Sequence, residues 1–370
     1  MPAFACGFVL ALLLAVLVAR LFRGRTKKML LGKAKIIGNA IGANSSAMPD
    51  IVTIGGGTGL STLLSGLKAY TRNITAVVAV TDEGGSSGRL RSEWGMLPPG
   101  DIRNCIVALA ENDSSLNALL NYRFDRGELQ GHSLGNLMLL AATELKGDFQ
   151  RAVEELNKLL AIRGRVLPVT TENIKLKGIA RGGEELSGEL EISNNGSRLE
   201  KLWIEPSSAK PVEAVKEAIK NADLVVLGPG SLFTSVMPNL LLKEIVELLR
   251  ETRVPVVYIA NLVTQPKETE GMNILAHVDW IAGVTGSVPD YLLANQAPVP
   301  EEFLKRYGKI GAEPLYLSAK EEKYLSSLGT KVIYGNYIAV KDGKYLRHNA
   351  QNLAETIMLL AREYKERKGG

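Results

Sequence analysis

The fold is decided by the stretch Ile51-Val52-Thr53-Ile54-Gly55-Gly56-Gly57-Thr58-Gly59-Leu60. Four β-prone residues lead into a glycine cluster, and leucines in the segment that follows recur at the spacing of one helical face. The predicted order is therefore a strand, a tight glycine turn and a helix N-terminus. Such a turn brings backbone N–H groups and the positive end of a helix dipole toward an anion. We predict a phosphate-binding turn formed by Gly55, Gly56, Gly57, Thr58 and Gly59.

Two better-known phosphate-binding motifs do not match this turn. No Gly-Lys-Ser/Thr follows the glycines, as a P-loop requires, and the third glycine of the dinucleotide-binding G-x-G-x-x-G pattern is missing. A glycine turn can also serve only to pack a strand against a helix. The phosphate-binding interpretation is favoured because strand, turn and helix follow in the order that the mechanism needs.

A second strand is predicted at residues 74–80, a continuous apolar run typical of a buried parallel strand. It leads into Thr81-Asp82-Glu83-Gly84-Gly85-Ser86-Ser87-Gly88-Arg89. In open α/β sheets, ligands bind outside the carboxyl ends of the strands. Asp82 and Glu83 could therefore bind a metal, a ribose hydroxyl or a nucleophile's proton, and Arg89 or Arg91 could bind phosphate. The alternative is a solvated loop in which serines cap a helix.

A second unit of strand, glycine turn and helix begins with the strand predicted at residues 223–227. Gly228-Pro229-Gly230-Ser231 follows that strand, and the next apolar run, 254–260, ends in a segment that contains Asn261 and Thr264. Two glycine turns in one sheet imply a ligand that lies between them. We therefore predict one site, formed by the strand ends near residues 82, 228 and 261.

Four further polar residues have both a functional and a structural interpretation. Asp101 could cap the helix predicted near residues 102–110, or it could contact the ligand. His132 and Asn136 lie four residues apart at a helix start. His132 could be a general acid–base there, although a lone histidine is more often a hydrogen-bonded structural group. Arg347 precedes the terminal helix and could reach a phosphate or remain a surface charge.

The composition excludes several classes of protein. The chain of 370 residues is 46% hydrophobic, which is enough for a substantial core in one large domain or two ordinary ones. It has 44 Lys/Arg and 39 Asp/Glu, but residues 1–50 hold seven of the bases and only one of the acids. The remainder is nearly neutral, so we expect no nucleic-acid partner. Two cysteines cannot form a metal cluster and do not suggest a disulfide framework, which favours a reducing compartment.

The first 50 residues differ from the rest. Residues 2–19 are almost wholly apolar and basic residues follow at once, so residues 1–28 are predicted to be a membrane anchor with a basic flank on the cytoplasmic side. Residues 29–48 are predicted to be a linker, and residues 49–370 the ligand-binding domain. Two alternatives stay open: the apolar run lies along the membrane surface, or translation starts at Met29 or Met48.

Buried strands that alternate with helices predict an open α/β fold with a mostly parallel sheet. Residues 165–205 alternate like strands and are predicted to form a small β-rich insert, with a hairpin turn at Ser193-Asn194-Asn195-Gly196-Ser197. A late hairpin is predicted around Asp342-Gly343, with residues 331–340 as one arm. The sequence has no internal repeat, no zinc-ligand spacing and no G-x-S-x-G motif of a hydrolase.

Six segments occur in order: IGGGTGLSTLLSGLK (54–68), TDEGGSSGRLR (81–91), PPGDIRNC (98–105), GHSLGN (131–136), GPGSLFTSVMPNLL (228–241) and NLVTQPKETEG (261–271). From about residue 50 to 350 the chain closely resembles the YvcK/CofD-like family of gluconeogenesis factors. The resemblance implies a three-layer, Rossmann-like α/β fold. It also implies a protein that binds a UDP-sugar, with UDP-N-acetylglucosamine the expected ligand, and that is needed for cell shape and envelope growth on gluconeogenic carbon sources. The family's enzymatic cousins are 2-phospho-L-lactate transferases, which use Mg²⁺.

The resemblance also implies roles for residues at matching positions. Both glycine turns would bind phosphates, Asp82, Asn261 and Thr264 would line the nucleotide or sugar pocket, and Arg347 would close it. Relatives often have Asp-Asp where this chain has Asp82-Glu83, and Arg-His-Asp-Thr where it has Arg347-His348-Asn349-Ala350. The whole predicted site comprises Gly55, Gly56, Gly57, Thr58, Gly59, Asp82, Ser86, Ser87, Arg89, Asn136, Gly228, Gly230, Ser231, Asn261, Thr264 and Arg347.

The leading hypothesis is a non-catalytic, cytoplasmic UDP-sugar-binding regulator that residues 2–19 could tether to the inner face of the membrane. It would need no cofactor, would act through a protein partner in envelope synthesis and could form homo-oligomers. The alternative is a Mg²⁺-dependent transferase in which Asp82 and Glu83 hold the metal and a substrate hydroxyl attacks in line. An NAD-type dehydrogenase is disfavoured, because the dinucleotide pattern is broken. A regulator leaves its nucleotide sugar intact, whereas a transferase releases nucleotide when metal is present.

Overall fold

The computed structural model describes residues 48–111 and 114–369, and its strands form one large sheet and two small ones. In chain order the strands are β1 (Ile51–Gly55), β2 (Ile74–Val78), β3 (Arg165–Pro168), β4 (Lys175–Ala180), β5 (Glu185–Ser187), β6 (Leu199–Glu205), β7 (Leu224–Leu227), β8 (Val256–Ile259), β9 (Tyr291–Asn295), β10 (Lys331–Gly335), β11 (Ile338–Lys341) and β12 (Tyr345–His348).

The large sheet has seven strands in the order β10-β9-β8-β7-β1-β2-β3, and every neighbouring pair is parallel. Strands β1, β2 and β7 are buried at every position, because helices cover both faces of the sheet. The predicted α/β class with a mostly parallel sheet is confirmed. The chain adds strands on both sides of β1, first β2 and β3 and later β7 to β10. The topological switch point therefore lies between β1 and β7.

The helices are α1 (Gly57–Leu67), α2 (Gly85–Trp94), α3 (Gly100–Leu109), α4 (Ser114–Asn121), α5 (Leu134–Lys146), α6 (Phe149–Leu159), α7 (Glu189–Asn195), α8 (Glu213–Asn221), α9 (Met237–Leu240), α10 (Lys243–Thr252), α11 (Ile274–Thr285), α12 (Glu301–Gly308), α13 (Ala319–Ser327) and α14 (Ala350–Gly369). Leu60, Leu63, Leu64 and Leu67 form the buried face of α1, as their spacing predicts. Helix α1 packs against α3 and α14, and α8 packs against α10.

None of these helices has both the length and the apolar character that a bilayer span needs. The predicted membrane anchor, residues 1–28, and all of the predicted linker except Met48 lie outside the described residues. Both assignments therefore stay predictions.

The insert differs from its prediction in two respects. Its own antiparallel sheet has the order β5-β4-β6, whereas residues 165–168 are the edge strand of the large sheet. The hairpin turn predicted at residues 193–197 is wrong, because this segment lies in α7 and in the 3₁₀ turn Gly196–Arg198. Two acidic residues in the first turn of α7 suit the helix dipole, and Ile192 is buried against Gly178 of β4. Packing against the insert's sheet thus overrides the local turn propensity.

The late hairpin is confirmed in its position but not in its extent. Strands β11 and β12 pair antiparallel around Asp342 and Gly343, both of which have positive φ. Residues 331–335 do not belong to this hairpin. They form β10, which lies parallel to β9 at the other edge of the large sheet.

Candidate functional site

The two glycine turns meet at the switch point, where β1 and β7 end side by side. A Cβ atom on Gly59 would overlap the carbonyl oxygen of Pro229 and would approach the Cα of Gly230 to 3.0 Å. The turns therefore pack backbone against backbone, which only glycine allows at this position. Gly228 has φ of 80°, so the second turn needs a glycine for its conformation as well.

A cleft of about 430 Å³ lies between the turns and the ends of the neighbouring strands. It brings together nine residues of the predicted site, which come from the ends of the four strands β1, β2, β7 and β8 and from the hairpin β11–β12. The remaining lining residues come from α1, α3, the second glycine turn and the helical segment after it, the insert, the segment after β8 and the same hairpin. The predicted residues that line the cleft are Gly56, Gly57, Thr58, Gly59, Asp82, Gly230, Ser231, Asn261 and Arg347.

The first glycine turn already has one internal acceptor. The carboxylate of Asp101 accepts a hydrogen bond from the Gly57 N–H and packs against Gly56. The predicted N-cap role of Asp101 is wrong, because α3 begins at Gly100 and its N-cap is Pro99. The N–H groups of Thr58 and Gly59 follow in the first turn of α1, where the helix itself supplies no acceptor. Both residues line the cleft, so these amides are placed to receive an anion.

Burial and the neighbouring Asp82 carboxylate together raise the pKa of Asp101 to about 7, against the opposing effects of the Gly57 hydrogen bond and of Arg103. Glu189, the first residue of α7, is a second acid whose pKa is raised. Its carboxyl accepts the N–H of Glu83 at 3.0 Å and shares a hydrogen bond with Asp82. Burial and Asp82 raise the pKa of Glu189 to about 7. Four carboxyl groups therefore line the cleft, those of Asp82, Asp101, Glu189 and Glu268, and two of them, Asp101 and Glu189, are partly protonated near neutral pH.

Glu189 was missed in the sequence analysis because residues 165–205 were predicted to form strands at the sheet edge. The structure instead turns α7 toward the cleft, where Glu189 and Ser193 line one wall. A buried acid on an insert has no local pattern that would single it out. Only the long-range packing of α7 reveals it.

The carboxylate of Glu268 accepts hydrogen bonds at the second glycine turn. Oε1 of the buried Glu268 accepts the Phe233 N–H at 3.0 Å and a hydrogen bond from the Ser231 hydroxyl. The Ser231 hydroxyl oxygen in turn accepts the Thr234 N–H at 3.1 Å. Burial raises the pKa of Glu268, and these hydrogen bonds oppose that rise. Of the two predicted phosphate-binding turns, the first thus has the more open amides.

A further wall of the cleft is apolar and carries one cationic side chain. Leu262, Val263 and Leu346 line it, next to Arg347, whose guanidinium lies 5.1 Å from the ring centroid of Tyr345. The Arg347 guanidinium also donates to the Leu346 carbonyl at 3.0 Å. His348 donates from Nε2 to the Ala260 carbonyl, and burial lowers its pKa to about 4, so it is neutral.

Several predicted site residues lie outside the cleft and have structural contacts. Thr264 exchanges two hydrogen bonds with the backbone of Glu313, and Ser87 accepts the Gly100 N–H at 3.1 Å. Arg89 donates to the carbonyl of Gln130. Gly55 ends β1, and Gly228 begins the second turn but does not line the cleft. These residues support the walls of the cleft rather than line it.

Ser86, His132 and Asn136 form a buried cluster. Ser86 Oγ lies 2.9 Å from Nδ1 of His132 and accepts a hydrogen bond from the Asn136 amide at 3.0 Å. Burial lowers the pKa of His132. The cluster joins the N-termini of α2 and α5 and does not line the cleft, so the structural interpretation of His132 is the one that fits.

The predicted metal pair does not face a common point. Asp82 lines the cleft, whereas the Glu83 carboxylate packs against Gly188 and borders a separate surface depression with Arg91 and Lys175. Across the described residues, no group of three or more His, Cys, Asp or Glu side chains has the arrangement of a metal site. Asp82 and Glu83 therefore do not fit a shared ion in this conformation.

The acidic wall formed by Asp82, Asp101 and Glu189 should make the stability of the fold depend on pH. The pKa of Glu189 is higher in the folded chain than its ordinary value, so the folded state holds this proton more tightly. Its contribution to stability is complete below about pH 4.5 and declines until about pH 7. Glu189→Gln mimics the protonated acid. At pH 8 it should unfold with a free energy about 1 to 2 kcal/mol higher than the parent chain, and at pH 5 the two should match.

Denaturant unfolding at the two pH values measures this difference. Glu191→Gln, which changes an exposed carboxylate on the same helix, is the matched control and should shift neither value. Equal stabilities of parent and Glu189→Gln at pH 8 would show that Glu189 is not buried beside Asp82 in solution.

The comparisons with known proteins identify the family of the chain. A family model described as 2-phospho-L-lactate transferase CofD matches residues 51–338. The chain belongs to the CofD family. A gluconeogenesis factor of Halalkalibacterium halodurans is 42% identical over 311 residues, which cover 84% of this chain and 95% of that protein. A gluconeogenesis factor of Bacillus subtilis is 39% identical over 317 residues, covering 85% of this chain and 99% of that protein.

A solved structure extends the likeness of this CofD-family chain to three dimensions. The crystal structure of a member of the UPF0052 family from Bacillus halodurans is 40% identical, with a TM-score of 0.79, and covers 84% of this chain and 99% of that chain. The predicted resemblance is confirmed. The chain is a CofD-like protein whose relatives include the gluconeogenesis factors.

Proposed function

We propose that this CofD-family chain binds a nucleotide sugar, with UDP-N-acetylglucosamine the expected ligand, and acts as a regulator that leaves the ligand intact. One observation carries the proposal: the open first turn of α1 faces a cleft of about 430 Å³ at the topological switch point. That volume is in the range of pockets for nucleotide-sized ligands. The names of the relatives, gluconeogenesis factors, support a regulatory role in carbon metabolism.

The walls suggest how such a ligand would lie. The diphosphate would accept hydrogen bonds from the N–H groups of Thr58 and Gly59, with the α1 dipole favouring its charge. Arg347 would contribute the positive charge on the other side of the cleft. The apolar wall formed by Leu262, Val263 and Leu346 would take the base, and the carboxyls of Asp82 and Glu189 would accept hydrogen bonds from sugar hydroxyls.

The proposal extends to the cellular role. A regulator that reports the supply of an envelope precursor would act in the cytoplasm through a protein partner in envelope synthesis, and thereby support cell shape on gluconeogenic carbon sources. The N-terminal apolar run would tether it to the inner face of the membrane. Neither Mg²⁺ nor another cofactor is required for binding in this proposal.

A second candidate is a transferase of phosphorus-containing groups. It is favoured by the family description, a 2-phospho-L-lactate transferase, and by the carboxyl groups of Asp82, Asp101 and Glu189 in the cleft. This candidate needs metal ligands other than the predicted Asp82–Glu83 pair, because Glu83 faces away from the cleft.

Calorimetric titration separates the two candidates. The purified chain is titrated with UDP-N-acetylglucosamine, UDP, NAD and a guanine nucleotide, with and without Mg²⁺, and each sample is then chromatographed to detect turnover. The regulator predicts that the UDP-sugar binds without Mg²⁺ and is recovered intact. Release of UDP, or binding of a guanine nucleotide that depends on Mg²⁺, would favour the transferase.

Asp101 should also make the affinity for the ligand depend on pH. The diphosphate of a nucleotide sugar keeps the same charge between pH 6 and pH 8, so the change must come from the protein. With a pKa of about 7, Asp101 is mostly protonated at pH 6 and can donate to the phosphate, whereas at pH 8 it is mostly ionised and repels it. We expect the affinity to be about tenfold weaker at pH 8 than at pH 6.

Asp101→Asn provides the matched variant, since an amide can still accept the Gly57 N–H and can donate to a phosphate at either pH. Its affinity should stay the same within about twofold between pH 6 and pH 8. An affinity of the parent chain that rises with pH would contradict the placement of the diphosphate beside Asp101.

A further inference from the structure

The insert's sheet has an edge strand that is open on one side. Strand β6 contains seven residues and pairs only with β4 among the described residues. An unpaired edge presents free N–H and C=O groups to any strand that can align with it.

The hydrogen-bond pattern of β4 fixes which groups of β6 point outward. The Ala180 N–H donates to the Glu184 carbonyl, and the Gly188 N–H donates to the Leu176 carbonyl. The even-numbered residues of β4 therefore direct their backbone groups toward β5, and the odd-numbered ones toward β6. Because Lys177 lies opposite Trp203, the backbone groups of Leu202 and Ile204 point away from the sheet at its free edge.

The side chains of β6 are arranged for pairing with themselves. Lys201, Trp203 and Glu205 share the outer face of the strand, while Leu202 and Ile204 are buried on the inner face. In an antiparallel pair with Trp203 opposite itself, Lys201 of each copy lies opposite Glu205 of the other. The same register places Leu202 opposite Ile204, so the outward backbone groups of both copies satisfy one another.

We propose that two copies of this chain associate through antiparallel pairing of β6 about a twofold axis at Trp203. The two insert sheets would then form one continuous sheet of six strands. Association would satisfy the free backbone groups, form two cross-strand ion pairs and bury the tryptophan. Pairing of identical strands about a twofold axis closes the assembly at a dimer.

Other registers fit less well. A shift of two residues in one direction places Pro206, which has no N–H, opposite Leu202. A shift in the other direction leaves Lys201 opposite Trp203 and gives Glu205 no opposite charge. Lys177 does not prevent the proposed pairs, since its closer partner is Glu185 at 3.2 Å and it lies 3.7 Å from Glu205.

A groove beside β6 supports the same surface. It has a volume of about 600 Å³ and is lined by Trp203 of β6 and by Trp280 and Gly283 of α11. Tryptophan is enriched where protein partners bind. The charge pattern of β6 commits this surface to a second copy.

Charge reversal provides the test. The full chain is studied by sedimentation equilibrium over a range of concentrations, together with Lys201→Glu, Glu205→Lys and the double variant Lys201→Glu/Glu205→Lys. Each single change opposes like charges in both pairs and should weaken dimerisation at least tenfold. The double variant exchanges the partners and should restore it to within about threefold.

Two controls keep the result interpretable. Glu185→Lys removes the other partner of Lys177 at the opposite edge of the insert sheet and should not alter dimerisation. Thermal unfolding verifies that every variant is folded. A parent chain that remains monomeric at the highest concentration, single changes without effect, or a double variant as weak as the singles would each overturn the proposal.

Discussion

Gly59→Ala is expected to reduce the affinity for a UDP-sugar by about a hundredfold and to lower the free energy of unfolding by about 3 kcal/mol. The added methyl group would overlap the Pro229 carbonyl, and both partners are backbone, so no side chain can turn away to relieve the contact. One of the two turns must move. That movement displaces the amides of Thr58 and Gly59, which we propose as the diphosphate site. Thermal unfolding and titration calorimetry measure the two effects.

Gly283→Ala is the matched control for this prediction. Gly283 lies within α11, and a Cβ atom there would meet no other atom within 4 Å. Because alanine is the better helix former, this change should stabilise the chain by up to about 1 kcal/mol and leave ligand affinity unchanged. A Gly59→Ala variant that binds as well as the parent would mean that the ligand does not use the first turn.

Glu268→Ala is expected to lower the free energy of unfolding by about 3 to 5 kcal/mol, the largest effect on stability among these variants. The change removes the acceptor for the Phe233 N–H and for the Ser231 hydroxyl, and the Phe233 N–H is buried where little water can replace that acceptor. It also leaves a cavity beside the second turn. Denaturant unfolding measures the loss.

Two variants define what the carboxylate contributes. Glu268→Gln keeps an oxygen acceptor in place and should cost clearly less than the alanine variant, by about half. Glu270→Ala changes an exposed neighbour on the same segment and should lie within about 0.5 kcal/mol of the parent. If alanine and glutamine at position 268 cost the same, the capping hydrogen bonds are not the source of the stability.

Local patterns predicted much of the architecture. The glycine turns, the buried strands and the leucine face of α1 each depend on residues close together in the chain, so the sequence identifies them directly. The convergence of strand ends could also be predicted, because a parallel sheet brings its carboxyl ends to one edge. Asp82, Ser231 and Asn261 indeed meet in one cleft.

Other parts of the site depend on contacts that no local pattern contains. Asp101 lies more than forty residues from the glycine turn that it contacts, so a helix-capping pattern was the only signal available for it. Thr264 follows a strand end and Asn136 lies at a helix start, but both side chains are buried and hydrogen-bonded within the protein. Glu189 and Glu268 become visible only when α7 and the segment after β8 pack against the cleft.

The Asp82–Glu83 pair illustrates the limit most clearly. Adjacent acids after a buried strand suggest a shared metal ion, yet consecutive residues in an extended segment point to opposite sides. Asp82 faces the cleft, whereas Glu83 faces the insert. The carboxyl group that Asp82 contacts is that of Glu189, which comes from a different part of the chain.

A crystal structure of the chain with UDP-N-acetylglucosamine, grown without Mg²⁺, tests the proposed ligand site. We predict an intact ligand whose diphosphate lies within hydrogen-bond distance of the Thr58 and Gly59 N–H groups, with its base toward Leu262 and Leu346. A ligand bound elsewhere on the chain, or a diphosphate held at the second turn in place of the Glu268 carboxylate, would contradict it.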